Sequence, residues 1–261
     1  MYKFISIILL LVIMGCAPEN SNITLSSSLQ KEVPQLDSSD VAYLTGRFDP
    51  AAHPLFEMID IVHADRAGMY MRKEAYLAFK AMYEAAKKDG VDLVIRSAAR
   101  NFDYQKGIWE RKWTGQTILS NGQNAAQAYP DDSTRARRIL EYSSMPGSSR
   151  HHWGTDVDFN SFDNSWFETG EGLQVFNWLE ANASSYGFCR PYTIKNASRP
   201  YGYNEEKWHW SYVPLSKELT EKAALLDDSV FVGYLGDNTS KQIDILDHYI
   251  LGINNDCNKH K

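Results

Sequence analysis

Apolar positions along the chain fall into a few distinct periods. In "EAYLAFKAMYEAAKKDG", Glu74 to Gly90, residues Ala75, Ala78, Met82 and Ala85 or Ala86 recur at three- and four-residue steps, which predicts an amphipathic helix. Lys87 and Lys88 suit the negative end of its dipole, and Gly90 can take the left-handed position that stops it. Next, "VDLVIRS" alternates Val91, Leu93 and Ile95 with Asp92, Val94 and Arg96, a strand pattern. Asn101 can cap a helix reaching about Trp113, and Ser133 can cap another over "TRARRILEY". "EGLQVFNWLEANASSYG" predicts a helix with Leu173, Phe176, Leu179, Ala183 and Tyr186 on one side and Gly187 at its end. Helices and short strands mix without a βαβ period, so the expected class is α+β, with a small, mainly antiparallel sheet packed by helices.

The two ends of the chain read differently from the middle. Residues 215–261 carry two amphipathic stretches, "LSKELTEKAALL" and "SKQIDILDHYILGI", and predict a helical C-terminal extension without chemistry of its own. At the other end, Lys3 precedes an apolar run from Phe4 to Met14 that is too short to cross a bilayer of about 30 Å as a helix. That is the form of an export signal. The run closes on "IMGC", which resembles a bacterial lipobox and implies a lipid anchor at Cys16 after removal of residues 1–15. Residues 16–38 are rich in Ser, Asn and Pro and read as a flexible tether, leaving 39–214 as the main domain. The expected location is the bacterial cell envelope, facing the periplasm or the surface. Cys189 and Cys257 remain, either as one disulfide tying the tail to the core or as two buried thiols; export and the even count motivate the bond.

With 261 residues the chain can bury a substantial core, and its net charge of −6 offers no basic footprint for nucleic acid. Its seven Trp and fifteen Tyr suit a groove that stacks on sugars or peptides, although a large core accounts for them more simply. A monomer is expected.

Two clusters carry candidate chemistry. The first, "SSRHHWGTDVDF", holds His151, His152, Asp156 and Asp158. Zinc takes neutral imidazoles and carboxylates and keeps one position open in catalytic sites. Gly154 lets a loop residue and a strand residue converge, and the alternation in "DVDF" puts Asp156 and Asp158 on one face of a strand. Periodicity does not choose between the two aspartates, nor between the two histidines. The second cluster, "NEEKWHWSY", places His209 on a strand between Trp208 and Trp210, with Glu206 three residues earlier. A glutamate beside an activated water is the general base that metal-assisted hydrolysis needs.

Together the clusters read H-x6-D followed by E-x-x-H. The pattern S-x-H-x-x-G-x-x-x-D (Ser149, His151, Gly154, Asp158) with E-x-W-H (Glu206, Trp208, His209) resembles the VanY-type D-alanyl-D-alanine carboxypeptidases. These belong with the lysostaphin-like and hedgehog zinc peptidases. "KDGVDLVIRSAARNFDYQ", "WLEANASSYGF" and "WHWSYV" are similar to further segments of the family, so the resemblance covers about Met71 to Val213. It implies that the sheet carries a zinc site, with His151, Asp158 and His209 as ligands and Glu206, not Glu205, as the base. His152 and Asp156 would be neighbours that orient the ligands. Arg100 would face the substrate, stabilising the oxyanion or anchoring the substrate's terminal carboxylate with its fork, and Gln105 and Ser149 would be further contacts; Ser149 reads equally as a turn residue bonding its own backbone. The chain departs from the family in having Ala98 and Ala99 where Gly-Tyr is usual, Asp156 where a small residue is common, and Lys207 where proline is common.

The implied activity is zinc-dependent removal of the terminal D-alanine from peptidoglycan stem peptides. Related readings are an L,D-carboxypeptidase or a peptidoglycan endopeptidase. A reading of another class is a non-catalytic, zinc-stabilised cell-wall binding lipoprotein, which needs neither Glu206 nor Arg100.

Overall fold

The computed structural model describes residues 35–258, so the export signal, Cys16 and most of the tether lie outside the described residues. Helix α1 (Ser38–Leu44) opens the described chain, capped by the Asp37 carboxylate, which accepts from the amides of Ser39 and Asp40. A two-stranded antiparallel ribbon, β1 (Phe56–Met58) with β2 (Tyr70–Arg72), leads into the long helix α2 (Lys73–Lys88). Strand β3 (Ile95–Ser97) follows, then α3 (Phe102–Trp113), capped as expected by Asn101. Short helices α4 (Ala125–Ala128) and α5 (Asp132–Ile139) come next. The cap of α5 is Asp131 rather than Ser133: its carboxylate accepts from the Thr134 amide, two residues upstream of the expected start.

Strand β4 (Asp156–Phe159), helix α6 (Gly170–Asn182), strands β5 (Phe188–Cys189) and β6 (His209–Tyr212), and helix α7 (Val213–Ala223) complete the core. The four-stranded sheet has the order β3-β4-β6-β5 and is antiparallel at every pair. The class is α+β. The buried side of α6 is Val175, Trp178 and Leu179, continued by Ala183, while Leu173 is exposed. The helix is therefore rotated from the expected face, because Trp178 buries more area than Leu173 and reaches the Asp89 carboxylate with its indole N–H.

Period two gives the sheet two unlike faces. Val157, Phe159 and Trp210 pack with Phe79 and Met82 of α2 and Leu179 of α6 in one apolar cluster. Asp156, Asp158, His209 and Ser211 take the other face and are all buried. A second apolar cluster, built from α3, α5, α7 and the chain after Leu226, lies beyond that polar face and includes Trp109, Trp153, Tyr192 and Phe231. The C-terminal region is helical in short pieces: α8 (Ser240–Ile243) stops at Asp244, whose φ of 55° ends the helical path, and a π-helical turn follows at Leu246–Ile250. Its Ile243, Ile245, Ile250 and Ile253 are buried in the second cluster. A disulfide joins Cys189 on β5 to Cys257 across 68 residues.

Candidate active site

Strand register brings the first two site residues together. Asp158 of β4 lies directly opposite His209 of β6, and Asp156 opposite Ser211. Side chains so paired on one face are near neighbours. His151 arrives from a 3-10 turn, Arg150–Trp153, that ends at Gly154 with φ 71°. A Cβ on Gly154 would sit 2.3 Å from the Phe56 ring, so only glycine lets the turn close against β1 and drop His151 beside the sheet. One donor atom each from His151, Asp158 and His209 then lies within 4.8 Å of the others, and all three residues are buried.

The outward ring nitrogens are already engaged. His151 Nδ1 donates to the Ala98 carbonyl at 2.8 Å, which leaves Nε2 facing Asp158 Oδ2 at 3.3 Å. His209 Nε2 donates to Asp156 Oδ2 at 2.8 Å, which turns Nδ1 toward Asp158 Oδ1 at 3.2 Å and Glu206 Oε2 at 3.3 Å. His151 Nε2 and Asp158 Oδ1 are buried without a hydrogen-bond partner. Such atoms cost about 1–3 kcal/mol each unless something else satisfies them. Two imidazoles with their second nitrogens fixed, plus an unsatisfied carboxylate oxygen, form a donor set that fits a divalent metal of zinc type.

Electrostatics point the same way. Burial pushes Asp158 up, but the two histidines outweigh it and hold the carboxyl below its ordinary range. Asp156 is likewise raised by burial and lowered further by Arg150 and His209. Burial lowers His209, yet its contacts with Asp156, Asp158 and Glu206 raise it well above the ordinary histidine value. Three carboxylates around one ring are a demand for positive charge, met by a proton or by a cation. Burial and the Arg100 charge lower His151, which keeps its Nε2 lone pair free. Glu206 is raised, chiefly by burial.

Arg100 stands after β3 with Nη1 3.1 Å from Ser97 Oγ and 3.8 Å from Asp158 Oδ2. Gln105 is held by the Ser144 carbonyl at 2.8 Å and keeps Oε1 unpartnered. Ser149 Oγ is buried without a partner and does not cap its own turn. All three line a cleft of ≈ 560 Å³ together with His151, Asp158, Glu206 and His209. Glu205 points elsewhere, to Arg190 at 2.7 Å. His152 does not touch the trio: Nδ1 bonds the Arg100 carbonyl at 2.6 Å and Nε2 accepts from the Gly147 amide. Burial pushes its pKa down to about 3, so it is a neutral brace for the Arg100 backbone. The Ala98 substitution leaves the trio intact because only that residue's carbonyl is used.

Several residues escaped the sequence reading. Arg150 is 2 % exposed and donates to Asp156, Thr220 and Ser211, closing a buried network behind His209. Tyr192 packs its ring 4.7 Å from that of His209, and Tyr142, Tyr203 and Phe162 wall the cleft. Lys112, on the last turn of α3, reaches the cleft and donates to Ser143 Oγ at 2.6 Å. Its seven-residue step from Gln105 is the one sequence signal that places it on that face.

The chain is similar to known proteins along this region. A protein of Bacillus subtilis (strain 168), YodJ, that carries a carboxypeptidase name is 33% identical over 147 residues, covering 55% of this chain and 46% of that protein. The D-alanyl-D-alanine carboxypeptidase of Enterococcus faecalis (strain ATCC 700802 / V583) is 30% identical over 132 residues, covering 51% and 44%. The chain thus spans somewhat under half the length of these relatives. A solved structure of VanYB in complex with D-Alanine-D-Alanine is 24% identical, covers 66% of this chain and 84% of that one, and has a TM-score of 0.48. A solved VanY D,D-pentapeptidase mutant in complex with Zn(II) is 25% identical, covers 66% and 85%, and has a TM-score of 0.46. The family model described as VanY, D-alanyl-D-alanine carboxypeptidase, matches residues 68–215, which is more than half of the chain and contains the trio, Glu206 and Arg100, so the chain belongs to the VanY D-alanyl-D-alanine carboxypeptidase family.

Proposed function

We propose that the protein is a zinc-dependent carboxypeptidase that hydrolyses the terminal D-alanine from peptidoglycan stem peptides, held at the bacterial envelope by a lipid on Cys16. The observation that carries the reading is the convergence of His151, Asp158 and His209 with Glu206 on the floor of one cleft, with His151 Nε2 and Asp158 Oδ1 unsatisfied. His151, Asp158 and His209 would hold the metal, which supplies Lewis acidity for the scissile carbonyl and the attacking water.

The remaining roles follow from placement. Glu206 Oε2 lies 3.3 Å from His209 Nδ1, and its raised affinity for a proton suits a base that must also give the proton back. It takes a proton from the attacking water, and after the C–N bond breaks it passes that proton to the leaving amine. Asp156 holds the Nε2–H of His209, fixing the tautomer that leaves Nδ1 free for the metal. Arg100, within 3.8 Å of Asp158, offers a planar fork to the oxyanion that forms on the scissile carbonyl. Gln105 Oε1 and Ser149 Oγ are unsatisfied polar atoms available to the peptide.

The test is incubation of the full chain with defined tetra- and pentapeptide stems and a cross-linked stem dimer, with and without chelator, and mass analysis of the products. Loss of one D-alanine from the pentapeptide, abolished by chelation and restored by zinc, is expected. Cleavage within a cross-link or of the tetrapeptide alone would select the endopeptidase or L,D-carboxypeptidase reading. Peptide binding without turnover would select the binding lipoprotein.

A further inference from the structure

Lys112 differs from the lysines of this chain that pair with carboxylates: Lys106 with Glu110, Lys207 with Glu168, Lys222 with Asp40 and Glu218. Lys112 is more enclosed, yet its named contact is the neutral Ser143 hydroxyl at 2.6 Å, and among the described residues no carboxylate lies within ion-pair distance of it. Burial dominates its environment and disfavours the ammonium; Glu206, at longer range, offsets this in part, and Arg100 adds to it. A half-buried cation without a counter-charge is partly desolvated, and a ligand carboxylate would offset that cost. An ammonium has three donors, and Ser143 takes one.

Its position suits a ligand. Lys112 lines the same cleft as Glu206, His209 and Arg100, two helical turns along α3 from Gln105. Arg100 lies 3.8 Å from Asp158 of the trio, where its fork is available to an oxyanion formed beside those residues. In an exopeptidase substrate the terminal carboxylate lies one residue past that carbonyl, about 3.8 Å along the chain. A second cation lining the same cleft and held by Ser143 can answer that carboxylate.

We infer that Lys112 recognises the free terminal carboxylate of the peptide and makes the cleft selective for chain ends. This rests on the carboxypeptidase reading above and deepens it: Arg100 serves the oxyanion, and Lys112 serves the substrate's end.

The experiment measures peptide binding by calorimetry on the full chain in a Glu206→Gln background, where peptide is not consumed. Three pentapeptide stems are used: free acid, C-terminal amide, and free acid with the stem's side carboxylate amidated. Lys112→Met, and Lys112→Gln as a second variant that keeps a bond to Ser143, should weaken both free-acid peptides about ten- to a hundredfold, the loss of a charge-assisted hydrogen bond. They should leave the amide nearly unchanged, and Lys112→Arg should recover part of the loss. Equal weakening of acid and amide, or no weakening, would overturn the inference and make Lys112 a packing residue. A loss that disappears with the amidated side carboxylate would overturn it by placing the recognised carboxylate on the stem. If none of the peptides binds the parent, this inference and the carboxypeptidase reading both fall. Turnover by wild type on the free acid reads the other claim alone: no release of alanine with the binding pattern intact would sink carboxypeptidase activity and leave carboxylate recognition standing.

Discussion

Asp156→Asn isolates the charge behind the metal-ligand trio. Asp156 Oδ2 accepts from His209 Nε2 at 2.8 Å and from Arg150 Nε at 3.2 Å, while Oδ1 accepts from the hydroxyls of Ser211 and Thr155. An asparagine can keep its carbonyl toward His209 and Arg150 and turn its amide to the two hydroxyls, which rotate to accept. Shape survives and the charge goes. Arg150 is then a cation 2 % exposed, over the Trp153 ring and without a carboxylate. Breaking a buried pair in this way costs about 3–5 kcal/mol. At roughly 2–4 °C per kcal/mol for a domain of this size, the metal-free protein should melt about 6–20 °C lower. The His209 ring also loses the charge that makes it a strong donor, so zinc affinity should fall about 10–100-fold. Differential scanning calorimetry and competition with a chromogenic chelator read the two effects. Adding Arg150→Met should recover most of the lost stability but not the zinc affinity, because the stranded cation is removed and the negative charge behind His209 is not restored. An Asp156→Asn protein melting within about 2 °C of wild type, with unchanged zinc affinity, would refute the reasoning.

Other perturbations test separate parts of the structure. Glu206→Gln should keep fold and bound zinc and lose about 10²–10⁴ in rate, whereas Glu205→Gln, whose partner is Arg190, should leave turnover near wild type; steady-state assays of both check this. Replacing Cys189 and Cys257 by alanine opens a loop of 68 residues and should remove about 4 kcal/mol, read as a lower Tm, while two thiols alkylated in the native protein would refute the bond. His63, packed against Tyr76, Phe79 and Tyr83, is pushed below its ordinary 6.5 by burial. The unfolded chain therefore takes up this proton first, so its contribution to stability is present above pH 6.5 and is lost as pH falls toward the folded value. The drop in Tm between neutral pH and about pH 5 should be smaller in His63→Gln than in wild type.

The local elements were legible because their causes are local. Three- and four-residue steps set α2, Asn101 caps α3, and alternation in "DVDF" puts Asp156 and Asp158 on one face. The resemblance in spacing named His151, Asp158, His209 and Glu206, and the fold draws those four into one cleft. Periodicity alone left His151 and His152 as equals, since both are buried on the same 3-10 turn. Tertiary contact separates them: the Ala98 carbonyl takes the Nδ1 of His151 and leaves its other nitrogen at the trio, while the Arg100 carbonyl and the Gly147 amide use both nitrogens of His152. The two aspartates share a face and differ only by register, which sets Asp158 opposite His209 and sends Asp156 behind it to Arg150. The rotation of α6 and the stop at Asp244 were likewise beyond local pattern, because burial against a specific neighbour outweighs intrinsic periodicity there. Arg150 and Lys112 carry no signal of burial in the sequence, where a charged residue reads as solvated. Only the packing of distant segments removes water from Arg150, which pairs with a carboxylate, and half-covers Lys112, which faces the cleft without one.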